Sequence, residues 1–233
     1  ARVLLGSRDH AEHPAAVLVV VEPGHRYAGG RVIRGPVGEG AHGSHDSLDG
    51  VTLSIRDRVV VFDYGEVISL SPSDKDRSEL LAISRCDAAP FWDSYWRHRD
   101  GLDQGTVTIP DYWALVAADT GSVWDAPTVH ALWVADFRSW WSVEPGTLRL
   151  IEELHAGGTR LAILSNAGFD FASGFRFSPM GTYFERVFVS AEMDAIKPDP
   201  AIYLEVADEL GISPAGMVFI DNKSVNTDAA AAL

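Results

Sequence analysis

The feature that most constrains this fold is a set of short, continuous apolar segments separated by helical patterns. The segments lie at residues 59–62, 160–164, 186–189 and 217–220, and helices are predicted over 147–156 and 200–210. Segments this short, without alternation of polar residues, are typical of strands buried on both faces of a sheet. Strands that alternate with helices predict an α/β fold with a parallel sheet, whose active site lies at the carboxyl ends of the strands.

Polar side chains follow these strands at the points where they end. A carboxylate follows the first strand, a hydroxyl and an amide follow the second, a lysine lies in the loop after the third, and a carboxylate and an amide follow the fourth. Because these ends share one edge of a parallel sheet, we expect the side chains to converge. The residues are, in order, Asp63, Ser165, Asn166, Lys197, Asp221 and Asn222.

The chemistry of these groups suggests a site for phosphate and metal. Two carboxylates suit a hard divalent cation with oxygen ligands, most naturally Mg²⁺. A hydroxyl, a backbone N–H and an ammonium group suit the oxygens of a phosphate. A carboxylate next to such a cation can act as a covalent nucleophile.

Four segments of the sequence resemble, in order and spacing, the motifs of the haloacid dehalogenase superfamily. They read FDYGEVIS, LAILSNA, IKPDPAIY and MVFIDNKSVNTDAA, and the resemblance covers roughly residues 59–233. It implies a Rossmann-like parallel sheet core with a small α-helical cap inserted after the first strand. It also implies hydrolysis of a phosphorylated substrate with the help of Mg²⁺.

The resemblance also implies roles for individual residues. Asp63 would be the nucleophile, and Lys197 would balance charge and contact the substrate phosphate. Ser165 and Asn166 would bind phosphate as well. The implied metal ligands are Asp63, the backbone carbonyl of Gly65, Asp221 and Asn222.

The sequence departs from the phosphatase pattern at two positions. Gly65 stands where the pattern has a second aspartate, the general acid and base, and Glu66 comes next. Loss of such an acid costs a rate factor of about 10²–10⁴ unless Glu66, a cap residue or water replaces it. Asn222 replaces an aspartate with a neutral oxygen donor, which weakens metal binding without abolishing it.

The rest of the chain divides into regions that differ in composition and in predicted secondary structure. Residues 57–72 and 146–233 form the predicted core, which we expect to continue beyond the C-terminus, and residues 73–145 form the aromatic-rich cap with four helices. Trp92 and Trp96 are the cap residues expected to face the cleft. Residues 1–56 are predicted to be a partly disordered extension with strands over 16–21 and 31–33, and no strand–helix pattern ties them to the core.

Charge and composition limit the partners. The net charge of −14 and the pI near 4.8 argue against a nucleic-acid backbone as the main partner. The apolar run at residues 15–21 is too short to cross a membrane. The single cysteine, Cys86, suits a reducing cytoplasm. A small phosphorylated molecule is the expected partner.

Three functions remain open from the sequence. The first is a Mg²⁺-dependent phosphatase acting on a small metabolite through an aspartyl-phosphate. The second is a metal-free dehalogenase, which would use Asp63 against a carbon centre. The third is a degenerate binding protein, suggested by Gly65 and Asn222. Asp221 favours the phosphatase, because dehalogenases of similar type tend to replace that acid.

Overall fold

A five-stranded sheet organises the structure. The computed structural model describes residues 17–20 and 53–233, and the strands occur in the order β1-β5-β2-β3-β4. β2 pairs in parallel with β3 and β5, β3 pairs in parallel with β4, and β1 lies antiparallel to β5. The strands are β1 (Val17–Val20), β2 (Val59–Phe62), β3 (Arg160–Ser165), β4 (Arg186–Val189) and β5 (Met217–Asp221).

The central strand β2 shows why these apolar segments form strands. All four of its side chains are fully buried, because β3 and β5 flank it and helices cover both faces. Val60 and Phe62 join the hydrophobic cluster on one face, whereas Val59 and Val61 join the cluster on the other. The four strands predicted in the core and the α/β class are therefore confirmed, and two of the strands are one residue longer than predicted.

The N-terminal part of the chain contributes one strand to this sheet. The strand predicted over 16–21 is present as β1, and it pairs with β5 from Val17 opposite Asp221 to Val20 opposite Val218. The expectation that no strand in residues 1–56 is tied to the core is therefore wrong for β1. The strand predicted over 31–33 lies outside the described residues.

The helices form two groups. The first group has five helices within the inserted residues 73–145, one more than predicted, and they pack around a shared aromatic cluster. They are α1 (Asp74–Ser84), α2 (Ala88–Arg97), α3 (Arg99–Asp103), α4 (Ile109–Thr120) and α5 (Ala126–Ser139). The others are α6 (Pro145–Ala156), α7 (Phe169–Phe177), α8 (Pro200–Glu209) and α9 (Ser224–Ala231). Within residues 53–233, no helix has the length and apolar character needed to cross a membrane.

Local signals in the sequence set the ends of the inserted helices. The Asp125 side chain accepts a hydrogen bond from the Thr128 N–H and so caps α5. Gly121 ends α4 in the left-handed conformation, with φ 65°, which a glycine adopts without steric cost. The chain therefore turns sharply between these two helices.

Side chains of α5 attach the inserted helices to the core. The Trp133 Nε1–H donates to Asp170 Oδ2 at 2.8 Å. The rings of Phe137 and Phe171 pack with their centroids 4.8 Å apart. Since Asp170 and Phe171 belong to α7, which directly follows β3, the inserted helices are fixed over the carboxyl ends of the strands.

We predict that removal of β1 lowers thermal stability. A chain that begins at residue 53 should melt roughly 5 °C or more below the full chain, because β5 loses the backbone hydrogen bonds of a neighbouring strand. A chain that begins at residue 16 keeps Val17–Val20 and serves as the matched control. Equal melting temperatures for all three proteins, measured by calorimetry, would contradict the prediction.

Candidate active site

The carboxyl ends of three parallel strands bring the candidate residues together. Asp63 directly follows β2, Ser165 ends β3 and Asp221 ends β5. The Asp63 N–H donates to the Ile220 carbonyl at 2.8 Å, which extends the pairing of β2 with β5 to the site itself. Asp63, Ser165 and Asp221 are all buried, so their polar groups act in an environment that excludes most water.

Lys197 lies at the centre of this arrangement. Its Nζ is 2.8 Å from Asp63 Oδ1, 2.8 Å from Asp221 Oδ2 and 3.0 Å from the Leu164 carbonyl oxygen. An ammonium group has three donors, and these three acceptors match that number. Only 1% of the lysine side chain is exposed, so its charge offsets the two carboxylates with little screening by solvent.

Asn166 holds Lys197 in place. The Asn166 Nδ2 donates to the Lys197 carbonyl at 2.9 Å, and the Lys197 N–H donates to Asn166 Oδ1 at 2.9 Å. These two bonds give Asn166 a positioning role toward Lys197. The second Nδ2–H forms no hydrogen bond with the described residues, and the phosphate contact predicted from the sequence stays a prediction. Ser165 lines the same cavity as Lys197, and its hydroxyl forms no hydrogen bond with the described residues.

Asp221 is fully buried and accepts three hydrogen bonds. Its Oδ1 accepts from the Lys223 N–H at 2.8 Å, and its Oδ2 accepts from Lys197 Nζ and from Asn226 Nδ2, the latter at 2.9 Å. These three hydrogen bonds leave one lone pair of Oδ1 without a partner, so the ligand role predicted for Asp221 stays a prediction. Sequence reasoning missed Asn226, although its place in the first turn of α9, one turn after Asp221, was a usable signal.

Three other oxygen atoms near the strand ends remain available. Asp63 Oδ2, the Gly65 carbonyl and Asn222 Oδ1 accept no hydrogen bond from the described residues. Asn222 Oδ1 is also buried, which costs about 1–3 kcal/mol for an acceptor without a partner. Its Nδ2, in contrast, donates to Glu66 Oε2 at 2.8 Å.

This donor set fits Mg²⁺, because a carboxylate, a carbonyl and an amide oxygen are hard ligands. Among the described residues, no group of three or more His, Cys, Asp and Glu side chains is placed to hold a metal ion. A cation here would therefore depend on the Gly65 carbonyl and the Asn222 amide in addition to Asp63.

Burial changes the acidity of the candidate nucleophile. Removal of Asp63 from water raises the pKa of its carboxyl group from 3.8 to about 6. The positive charge of Lys197 opposes this shift, and the negative charge of Asp221 adds to it. Asp63 is therefore mainly ionised, and able to act as a nucleophile, only above about pH 6.

A cavity of about 430 Å³ lies between the strand ends and the inserted helices. Asp63, Ser165 and Lys197 line its floor. Trp92 and Trp96, which the sequence analysis placed at the cleft, line the opposite side. A volume of this size is typical of sites for small molecules. Further charged residues in its lining are Glu66, Arg77, Arg99, Asp100, Asp103, Asp136 and Lys223.

A buried charge network supports the cap side of the cavity. Arg99 Nε donates to Asp103 Oδ1 at 2.8 Å, and Arg99 Nη1 contacts Asp136 Oδ2 at 3.1 Å and Tyr95 Oη at 2.8 Å. Burial raises the pKa of Asp103 to about 6 against the effect of Arg99. Sequence reasoning missed this network, since Asp136 is far from Arg99 in the chain and only packing joins them.

A family model described as haloacid dehalogenase-like hydrolase matches residues 90–233, more than half of the chain. None of the curated proteins compared with this chain is similar enough to match it.

Solved structures with this fold include two proteins described only as members of the haloacid dehalogenase family and one L-2-haloacid dehalogenase. A haloacid dehalogenase family enzyme from Bacteroides thetaiotaomicron is 20% identical, with a TM-score of 0.58 over 74% of this chain and 88% of that one. A predicted hydrolase of the same family from Porphyromonas gingivalis is 22% identical, with a TM-score of 0.57 over 74% and 85%. The L-2-haloacid dehalogenase RSc1362 is 16% identical, with a TM-score of 0.52 over 70% and 76%. These similarities show the fold.

We predict that Asp63 makes stability depend on pH in the absence of metal. The folded-state pKa of Asp63, about 6, exceeds the unfolded value of 3.8. The contribution of its carboxyl group to the free energy of unfolding is therefore fully present below pH 3.8 and is lost as the pH rises through 6. The free energy of unfolding of Asp63→Asn relative to the native chain should therefore rise by about 1 kcal/mol from pH 5 to pH 8.

Denaturant titrations in EDTA at both pH values would measure this difference. Asp125→Asn is the control, because a hydrogen bond from Thr128 lowers the pKa of the exposed Asp125, which then stays ionised from pH 5 to 8. If the free energy of unfolding of Asp63→Asn relative to the native chain is also the same at both pH values, the pKa of Asp63 is not elevated.

Proposed function

Because the chain belongs to the haloacid dehalogenase-like hydrolase family, we propose that it is a Mg²⁺-dependent phosphatase for a small phosphorylated metabolite. The observation that carries this proposal is the buried Asn222 Oδ1, which has no hydrogen-bond partner among the described residues. A cation held with Asp63 Oδ2 and the Gly65 carbonyl would satisfy this acceptor. Bound Mg²⁺ would offset phosphate charge and orient the phosphoryl group.

Asp63 and Lys197 carry out the first half of the proposed reaction. The Asp63 carboxylate attacks phosphorus, the bond from phosphorus to the ester oxygen breaks, and an aspartyl-phosphate forms. The Ser165 hydroxyl donates to a phosphate oxygen, and Lys197 offsets the charge on Asp63 and on the phosphoryl group. Water then attacks phosphorus, which releases inorganic phosphate and regenerates the Asp63 carboxylate.

The leaving group obtains its proton from solvent in this scheme. Gly65 has no acidic side chain, and the Glu66 carboxylate already accepts hydrogen bonds from Ser71 and Asn222. Glu66 is thus engaged elsewhere rather than poised as the acid considered in the sequence analysis. The scheme therefore favours substrates whose leaving groups need little protonation.

The cavity indicates the substrate class. Its volume of about 430 Å³ accommodates a molecule much larger than inorganic phosphate. Arg77 and Lys223 line it and form no ion pair with the described residues, so they attract an anionic substrate in a protein whose net charge is −14. Trp92 and Trp96 offer apolar faces to the leaving group.

A solved structure gives a precedent on this fold. The Bacteroides thetaiotaomicron enzyme has been crystallised in complex with magnesium and inorganic phosphate. It is 19% identical to this chain, with a TM-score of 0.57. This complex supports the proposal that such a fold can hold Mg²⁺ and phosphate.

A metal-free dehalogenase is the second candidate. The observation in its favour is that no acidic cluster suited to a metal occurs among residues 53–233. Asp63 would then attack carbon and release a halide, as expected for an enzyme similar to the L-2-haloacid dehalogenase RSc1362.

We predict that an aryl phosphate is hydrolysed in Mg²⁺ and that EDTA abolishes turnover. Asp63→Asn should reduce the rate at least about 10³-fold, because it removes the nucleophile at nearly constant volume. Phosphate release is the measurement, and a cooperative melting transition in EDTA shows that the variant is folded. Chloride release from 2-chloropropionate without Mg²⁺ would support the dehalogenase instead, and no turnover of either substrate would support a binding protein.

We predict that Gly65→Asp accelerates hydrolysis of alkyl phosphates about 10-fold or more and changes aryl phosphates little. General-acid help matters in proportion to the basicity of the leaving group. The site has room, because a Cβ at position 65 would lie 3.8 Å from the Trp140 ring, an ordinary contact. Gly65→Asn is the matched control, with the same shape and no acid. Equal rates for the two variants on alkyl phosphates would show that an acid at this position does not assist.

A further inference from the structure

Glu66 has an unusual backbone conformation next to the site. Its φ is 60°, in the left-handed region that residues with a side chain seldom occupy. The Tyr64 carbonyl accepts from the N–H groups of Val67, Ile68 and Ser69, and the Glu66 N–H donates to Ser69 Oγ at 3.2 Å. This tight turn maintains the conformation and directs the Glu66 side chain toward the end of β5.

The Glu66 side chain connects two parts of the chain. One carboxylate oxygen, Oε1, accepts from the Ser71 hydroxyl. The other, Oε2, accepts from Asn222 Nδ2 at 2.8 Å across 156 positions of sequence. Glu66 also lines the cavity that contains Asp63 and Lys197.

The contact between Glu66 and Asn222 fixes the orientation of an amide. The oxygen and nitrogen of an asparagine side chain are nearly equal in shape, so packing alone does not decide which atom points where. An ionised carboxylate only accepts hydrogen bonds, and it therefore requires Nδ2 to point toward Glu66. Asn222 Oδ1 must then point away, where it is buried without a partner.

We infer that Glu66 is a positioning residue that holds Asn222 Oδ1 as a ligand for a divalent cation. The inference rests on the Mg²⁺ dependence proposed above. Glu66 also returns a negative charge to the neighbourhood of position 222, where the amide is neutral. Partners that orient a metal ligand in this way typically contribute 10–100-fold to metal affinity.

A double-mutant cycle on the full chain tests this role through metal binding alone. Glu66→Gln should weaken Mg²⁺ binding about 10–100-fold, because the glutamine removes the charge and no longer dictates the amide orientation. Asn222→Asp places two carboxylates in contact, which should lower the melting temperature in EDTA. The double variant restores a donor and acceptor pair in reversed order, so its Mg²⁺ affinity should return to within a few-fold of the native chain.

Titration calorimetry with Mg²⁺ as the only ligand, together with melting in EDTA, provides both readouts. Ser71→Ala is the control, because it removes the other hydrogen bond to Glu66 and leaves Asn222 untouched; its affinity should stay within about 3-fold. No Mg²⁺ binding by the native chain would refute the proposed metal dependence. Native binding with unchanged affinity in Glu66→Gln, or no recovery in the double variant, would overturn the positioning role alone.

Discussion

The contact of Lys197 with Asp63 and Asp221 is the interaction on which the site depends. Two carboxylates at the ends of adjacent buried strands would repel each other in a medium of low dielectric constant. The lysine offsets that repulsion at 2.8 Å from each of them. Even so, burial keeps the pKa of Asp63 at about 6, close enough to neutral pH that a small fraction of this candidate nucleophile stays protonated there.

The rest of the core positions this lysine. The β2–β5 pairing sets the separation of the Asp63 and Asp221 carboxylates. The Asn166 side chain forms two hydrogen bonds with the backbone of Lys197. Asn226 and the Lys223 N–H donate further hydrogen bonds to Asp221. A buried charge whose partners are all provided by the protein is held in a single geometry. The available oxygen of Asp63 is consequently presented to the cavity without competing contacts.

Much of the core could be predicted from the sequence because local patterns encode it. The apolar runs gave the four core strands, and the polar residues after them gave the components of the site. What the sequence could not give was the direction of individual side chains. Asn166 and Asp221 are directed toward Lys197, and the partner of Asn222 is Glu66, 156 positions away. Such pairs depend on tertiary packing, which no local pattern records.

The two departures from the phosphatase pattern also change the balance of charge in the site. Asp63 and Asp221 face one lysine, and Gly65 and Asn222 add no negative charge where the pattern would add two carboxylates. In the proposed phosphatase, fewer carboxylates weaken the attraction for Mg²⁺ but also reduce repulsion of the phosphate dianion. The proposed metal site would therefore depend more on the placement of neutral oxygen donors than on charge. A neutral donor binds a cation only when its dipole points at the ion, and the hydrogen bond from Asn222 Nδ2 to Glu66 would give the Asn222 amide that orientation.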